Sequence, residues 1–239
     1  MKKLVVMVSV YNAGDFIENR LDNLQKSTMA KDTEVWVVNA NSPDPRDHAI
    51  PHKFDVKYVK LPERVGVYAA WNYIIKNSKS VYLTNANADD LIAPNGYETL
   101  TRNLDQVKAC DFSYPSWFTT DTPNLTWEDV RKGKAAACDK SGKPGQYKGN
   151  LDDGGVGHFP IWRRALHDKL GLFDEEFKAL GDADWWARCW WVGKADFHWH
   201  KEYLACYLFR NGENLWHREV NEVEWQRYHT KVASYRKPV

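Results

Sequence analysis

The chain has almost no net charge: 33 basic against 32 acidic side chains leave a formal +1 over 239 residues. That balance gives no electrostatic case for nucleic acid or an acidic membrane surface as the main partner, without excluding nucleic acid altogether. Cysteine offers no site either, because Cys110, Cys138, Cys189 and Cys206 stand far apart and form no close pair at metal-ligand spacing. A reducing, cytoplasmic setting is the simpler expectation. No apolar run is long enough to span a bilayer, so no transmembrane segment is expected. The opening apolar run gives way to Ser9, Tyr11 and Asn12 with no small-residue cleavage site, and reads as a first strand rather than a signal peptide. Internal repeats and low-complexity tracts are also missing.

What is present describes a globular protein. Hydrophobic residues make up 43% and charged residues 27%, enough for one large domain, or one domain with an appendage. The twelve Trp and twelve Tyr lie largely beyond residue 110. Most are expected to fill the core, and some to offer faces on which a sugar can stack.

Residues 4–10 form a continuous apolar run that stops at Tyr11-Asn12-Ala13-Gly14, the pattern of a strand buried on both faces. Asp15 followed by Glu18 resembles a helix start, with Ile17, Leu21 and Leu24 at helical spacing. Residues 35–38 are a second buried strand opening into the polar loop 39–45, and residues 56–61 a third. A helix is predicted from Gly66 through Tyr68, Trp71 and Ile75, and a fourth strand over 81–83. Strands alternating with helices predict an α/β fold with an open, mostly parallel sheet flanked by helices. Such sheets bind ligands beyond the strand carboxyl ends. Three of those ends are polar, at residues 9–12, 39–44 and 85–90, and should converge on one crevice.

The last of them carries the acids. Asp89 and Asp90 follow a short apolar strand, and adjacent carboxylates there are costly unless solvated or shared by a cation. A divalent ion carrying a diphosphate would settle that cost, and oxygen ligands suit magnesium or manganese. The plainer reading is an Asp-Asp turn capping the next helix.

The motifs together resemble family 2 glycosyltransferases, nucleotide-sugar-dependent enzymes of the GT-A fold. Val8-Ser9-Val10-Tyr11-Asn12 is similar to the family's opening strand. Residues 37–44 resemble its second-strand loop, Gly66 to Asn72 its Gly-containing helix, and residues 82–90 its strand leading to Asp-x-Asp-Asp. Further on, residues 158–164, 170–177 and 181–188 resemble the acceptor-side segment, in which a Gly-Phe-Asp-Glu run precedes Glu-Asp-x-Asp and an Arg.

The resemblance implies a donor-binding half at 1–110, an acceptor-side half with a smaller sheet and helix region at 111–218, and a helical tail at 219–239. It implies an inverting, metal-assisted transfer of a hexosyl or pentosyl group from a nucleotide-diphosphate sugar to a hydroxyl. The acceptor would be a glycan, a lipid-linked sugar or a modified base. Asp182 would be the catalytic base. Ser9, Tyr11, Asn39, Asn41, Arg64, Asn87 and Asp89 would contact the donor, and Asp89, Asp90 and His217 would hold Mn²⁺ or Mg²⁺. Arg64 reads equally as a solvated loop cation, and His217 as a structural histidine of a Trp-rich tail.

This sequence departs from the family pattern at three places. Ala40 stands where an acid commonly meets the nucleotide base, so the base preferred can differ from uridine; Asn87 replaces the first acid of the metal motif and should weaken the metal; Gly181 replaces the Glu before Asp182. Asp184 is expected to pair with Arg188 at i,i+4. Residues 152–155 have the composition of a lid, and His158 after them fits an acceptor cleft or a surface loop. Val223, Tyr228 and Val232 are candidate docking residues of the tail, which would clasp the domain or pair two copies. Two other classes remain open: a nucleotide-sugar-forming nucleotidyltransferase, disfavoured because residues 12–15 lack a Gly-rich basic loop, and a non-catalytic carbohydrate-binding relative.

Overall fold

Nine strands form a single sheet in the computed structural model, which describes residues 2–138, 156–210 and 222–236. In chain order the elements are β1 (Leu4–Val10), α1 (Ile17–Gln25), β2 (Thr33–Asn39), a one-turn α2 (Arg46–Ala49), β3 (Lys57–Lys60), α3 (Val67–Asn77), β4 (Tyr82–Ala86), β5 (Leu91–Ile92) and α4 (Gly96–Gln106). There follow β6 (Phe112–Thr120), a short α5 (Trp127–Asp129), β7 (Ala136–Ala137), β8 (Ile161–Arg163), α6 (Ala165–Leu170), α7 (Gly181–Trp191), β9 (Phe197–Leu208) and α8 (Glu222–Tyr235). The sheet order is β3-β2-β1-β4-β8-β6-β9-β5, with β7 paired to β6. The strands from β3 to β4 are parallel and those beyond are mixed, so the expected parallel half and the acceptor-side region share one sheet.

Alternation along β1 explains how both faces are covered. Val5 and Met7 point to a layer built from Tyr68, Trp71 and Ile74 of α3, Trp185 and Trp186 of α7, and Tyr228 and Val232 of α8. Leu4, Val6, Val8 and Val10 face Ile17, Leu21 and Leu24 of α1 and Tyr97, Leu100 and Leu104 of α4. Each such side chain removed from water contributes about 1.5–3 kcal/mol, which makes β1 the centre of the fold. Trp162, Trp185 and Trp186 are all buried, in line with aromatics as core filling.

Several boundaries differ from those expected. Asp15 does not cap α1: it is exposed and paired with Arg46, while the Ala13 carbonyl accepts from the Phe16 and Ile17 N–H groups to close the first turn. β4 runs on to Ala86 because Thr84 and Asn85, though polar, are buried within the sheet, whereas Val81 is exposed. Of the expected docking residues in the tail, Tyr228 and Val232 are buried against α7 and its neighbours, whereas Val223 is 72% exposed.

Candidate active site

The carboxyl ends of β1 and β2 are tied by a polar network. The Ser42 N–H donates to Asn39 Oδ1 at 2.7 Å, and Ser42 Oγ accepts from the Asn12 N–H at 3.0 Å. Asp47 of α2 accepts from the Ala13 N–H at 3.1 Å. Asn12 and Asn41 both take the left-handed conformation, with φ of 54° and 57°, which Asn tolerates better than branched residues and which lets both chains turn sharply off the sheet. Ser9 and Asn41 are half-buried there, while Asn39 is buried with its Oδ1 already spent on Ser42. The exposed Arg64 guanidinium lies 4.4 Å from the Tyr11 ring centroid, a cation–π contact that places a fixed cation beside the β1 end.

Beyond β4 the two adjacent acids have different fates. Asp90 turns inward and is almost wholly buried, its Oδ1 accepting from the Leu208 N–H at 3.0 Å and its Oδ2 from Asn87 Nδ2 at 2.8 Å. Burial, reinforced by the charge of Asp89, pushes its pKa up to about 7. Asp89 stays half-buried and its Oδ2 accepts from Arg210 at 2.9 Å. Burial raises its pKa, and the Arg210 charge partly offsets that. Below them the buried Arg20 reaches Asn23 and Tyr97 and acts electrostatically on both acids.

The two acids expected as metal ligands thus stand in different surroundings. Each Asp90 oxygen accepts one hydrogen bond from within the fold, and the Asn87 amide, expected to contact the donor, donates to Asp90. Among the described residues no three His, Cys, Asp or Glu side chains cluster as a metal shell, and His217 and residues 152–155 lie outside those residues. The Asp89 carboxylate, the less buried of the two, is of the oxygen-donor type that suits a hard divalent ion. One carboxylate completed by substrate phosphates is a common magnesium arrangement, provided Arg210 gives way.

Asp182 lies one residue into α7, half-buried, its Oδ1 accepting from the Ala183 N–H at 2.8 Å and from the Tyr68 hydroxyl at 3.3 Å. A helix N-terminus favours a charged carboxylate. Desolvation outweighs that here and pushes the Asp182 pKa up to about 6. Gly181 has a packing reason: a Cβ there would stand 2.7 Å from the Tyr68 ring. Losing the Glu side chain makes room for the ring that delivers a hydroxyl to Asp182. Asp184, by contrast, serves structure, facing Arg188 at 3.5 Å and accepting from the Tyr235 hydroxyl at 2.8 Å.

Tyr207 of β9 feels the charge of both acidic centres. Burial and the charges of Asp90, Asp89 and Asp182 all push its hydroxyl pKa up, so the carboxylates beyond β4 and that of α7 act on the same group. Its ring stacks on His158 with centroids 4.0 Å apart, and desolvation takes the His158 pKa down to about 4, leaving a neutral imidazole against the Tyr207 ring.

With that geometry in view, comparison with known proteins decides the family. The model of glycosyl transferase family 2 matches residues 5–170. The chain belongs to that family. It is 26% identical over 193 residues to an uncharacterised glycosyltransferase of Rickettsia typhi, an alignment covering 76% of this chain and 56% of the relative. A second, from Rickettsia prowazekii, is 26% identical over 205 residues, 80% of this chain and 60% of the relative. The chain thus spans little more than half the length of these curated relatives. Among solved structures, TarS of S. aureus in complex with UDP-GlcNAc superposes with a TM-score of 0.74 at 18% identity, over 98% of this chain and 66% of TarS. A Pyrobaculum calidifontis mannosyltransferase with GDP-Man and Mn²⁺ gives 0.63 at 17% identity, over 98% of this chain and 61% of that one. These likenesses establish the GT-A architecture of this family 2 member.

Arg20, Tyr68, Arg210 and Glu224 were not singled out from the sequence. Tyr68 lay inside the motif segment Gly66 to Asn72, and Arg210, just beyond β9, could have been found as a charged group flanking a strand end. Arg20, on the apolar face of α1, carried no local signal.

Proposed function

We propose that this family 2 protein is an inverting glycosyltransferase that moves a sugar from a nucleotide-diphosphate donor to an acceptor hydroxyl, with Asp182 as the base. The observation that carries the reading is the desolvated Asp182 carboxylate, hydrogen-bonded by Tyr68 and close enough to Tyr207 that its charge and that of Asp89 act on the same hydroxyl. A carboxylate with a pKa of about 6 is ionised at neutral pH yet more basic than an ordinary aspartate, as proton abstraction from a hydroxyl requires.

In this reading Asp182 takes the acceptor hydroxyl proton as its oxygen bonds to the anomeric carbon. The bond from that carbon to the diphosphate breaks on the opposite face, and the configuration inverts. The Tyr68 hydroxyl holds the carboxylate in place and favours its charged form. Tyr11 and Arg64 flank the donor at the β1 end, with Ser9, Asn39 and Asn41 at the adjoining strand ends. Asp89, with His217 as a further candidate, would hold Mn²⁺ or Mg²⁺ on the donor phosphates, where the ion would neutralise charge on the leaving group. Residues 1–110 then serve the donor and 111–218 the acceptor, with 219–239 as a bracing tail.

A thermal-shift panel of UDP, GDP, CDP, ADP, UDP-GlcNAc and GDP-mannose, each with and without MnCl₂, tests the donor side. At least one nucleotide should raise the melting temperature, with a larger rise in manganese that Asp89→Ala removes. A panel in which no nucleotide shifts the parent protein would refute the donor reading. Slow release of nucleoside diphosphate from the stabilising donor distinguishes an enzyme from a sugar-binding relative.

A further inference from the structure

Glu224 sits in the first turn of α8 but is only 6% exposed. Its carboxylate accepts from three consecutive backbone N–H groups of a different segment: Lys178 at 3.0 Å, Ala179 at 2.7 Å and Leu180 at 2.9 Å. Leu180 immediately precedes α7, whose second residue is Asp182. The first N–H groups of a helix have no intrahelical acceptor, and no side chain caps α7 from its own N-cap position. The acceptor for the turn leading into α7 arrives instead from 44 residues downstream. Hydrogen bonds to an ionised carboxylate are roughly twice as strong as neutral ones, so this convergence fixes the backbone two residues from Asp182.

The rest of α8 is fastened to the same segment. Lys231 pairs with Asp174, Arg227 with Glu176, and the Tyr235 hydroxyl donates to Asp184 at 2.8 Å. Tyr228 and Val232 complete the attachment from the apolar side.

We propose that Glu224 is a positioning residue for Asp182: the C-terminal helix supplies the anion that holds the 178–180 turn, and through it sets where the Asp182 carboxylate stands. This rests on the reading of Asp182 as the base. Glu224 also acts on Asp182 through space, its negative charge favouring the protonated form. The other groups facing Asp182 are the Tyr68 hydroxyl from α3 and the Ala183 N–H of its own helix, while Tyr207 of β9 feels its charge through space. A helix that merely added stability would move neither the turn nor this proton.

The test needs no substrate. Carboxyl ¹³C titration of the full chain, with Asp182→Asn assigning the resonance, should place the Asp182 midpoint near 6 in the parent. In Glu224→Gln the midpoint should fall by about half a unit or more, because a repelling charge is gone. Amide hydrogen exchange at 178–183 should quicken by about tenfold while β1 and β2 keep their protection. A folded Glu224→Gln protein in which either quantity is unchanged overturns the proposal. Should that variant fail to fold, Glu224→Asp keeps the charge but withdraws it by one methylene: exchange at 178–180 must quicken with the Asp182 midpoint still raised, and unchanged exchange overturns the proposal. Turnover separates the two readings. Undiminished activity in Asp182→Asn would remove Asp182 as base while leaving the Glu224 measurements standing.

Discussion

Replacing Asp182 by asparagine should stabilise the protein above pH 7 and leave its stability unchanged near pH 4. The folded pKa of about 6 exceeds the ordinary 3.8, so the folded state binds this proton more tightly than the unfolded chain does. Stability from that proton is fully present below pH 3.8 and is lost as pH rises through 6. At one unit per 1.36 kcal/mol the full loss is about 3 kcal/mol, and solvent screening of a half-buried group brings it to about 1–2. An asparagine Oδ1 can still accept from the Ala183 N–H and the Tyr68 hydroxyl, without a charge to desolvate. At about 2–4 °C per kcal/mol for a chain of this size, the melting temperature at pH 8 should rise by roughly 2–8 °C. Differential scanning fluorimetry from pH 4 to 8 measures this directly. An equal shift at both ends of the range, or a lower melting temperature at pH 8, would refute the claim that this carboxylate is held desolvated. In the same variant turnover should fall by about 10²–10⁴-fold with nucleotide binding intact.

The two neighbouring acids should separate in function. Asp90→Ala removes the carboxylate that accepts from the Leu208 N–H and the Asn87 amide and should cost about 2–4 kcal/mol in urea unfolding, with diphosphate binding retained in the folded protein. Asp89→Ala should do the reverse, and matched losses in both variants would contradict the division. Tyr68→Phe removes a hydrogen bond that lowers the Asp182 pKa, so the acid limb of the pH–rate profile should move to higher pH; a limb moving the other way would disprove the contact. Arg210→Met frees the Asp89 carboxylate, and calorimetric UDP binding should then depend more steeply on manganese than in the parent.

Local pattern was enough for much of the architecture. The apolar runs at 4–10 and 35–38 and the helical spacing from Gly66 marked elements that form close to where they were expected, because strand and helix burial repeat every two or 3.6 residues along the chain. Motif order then carried the family, and Asp184 with Arg188 followed from helical spacing alone. Asp89 and Asp90 could not be told apart in this way. They are chemically identical neighbours, and only a β9 N–H arriving from 118 residues away turns one inward. Tyr68 meets Asp182 across 114 positions, Arg210 meets Asp89 across 121, and Glu224 reaches the turn before α7 from a helix whose own periodicity says nothing of it. Spacing along a chain records which face of an element is buried. Which charge or N–H satisfies a buried polar group depends on the segments that packing brings together, and that was decided only by the tertiary structure.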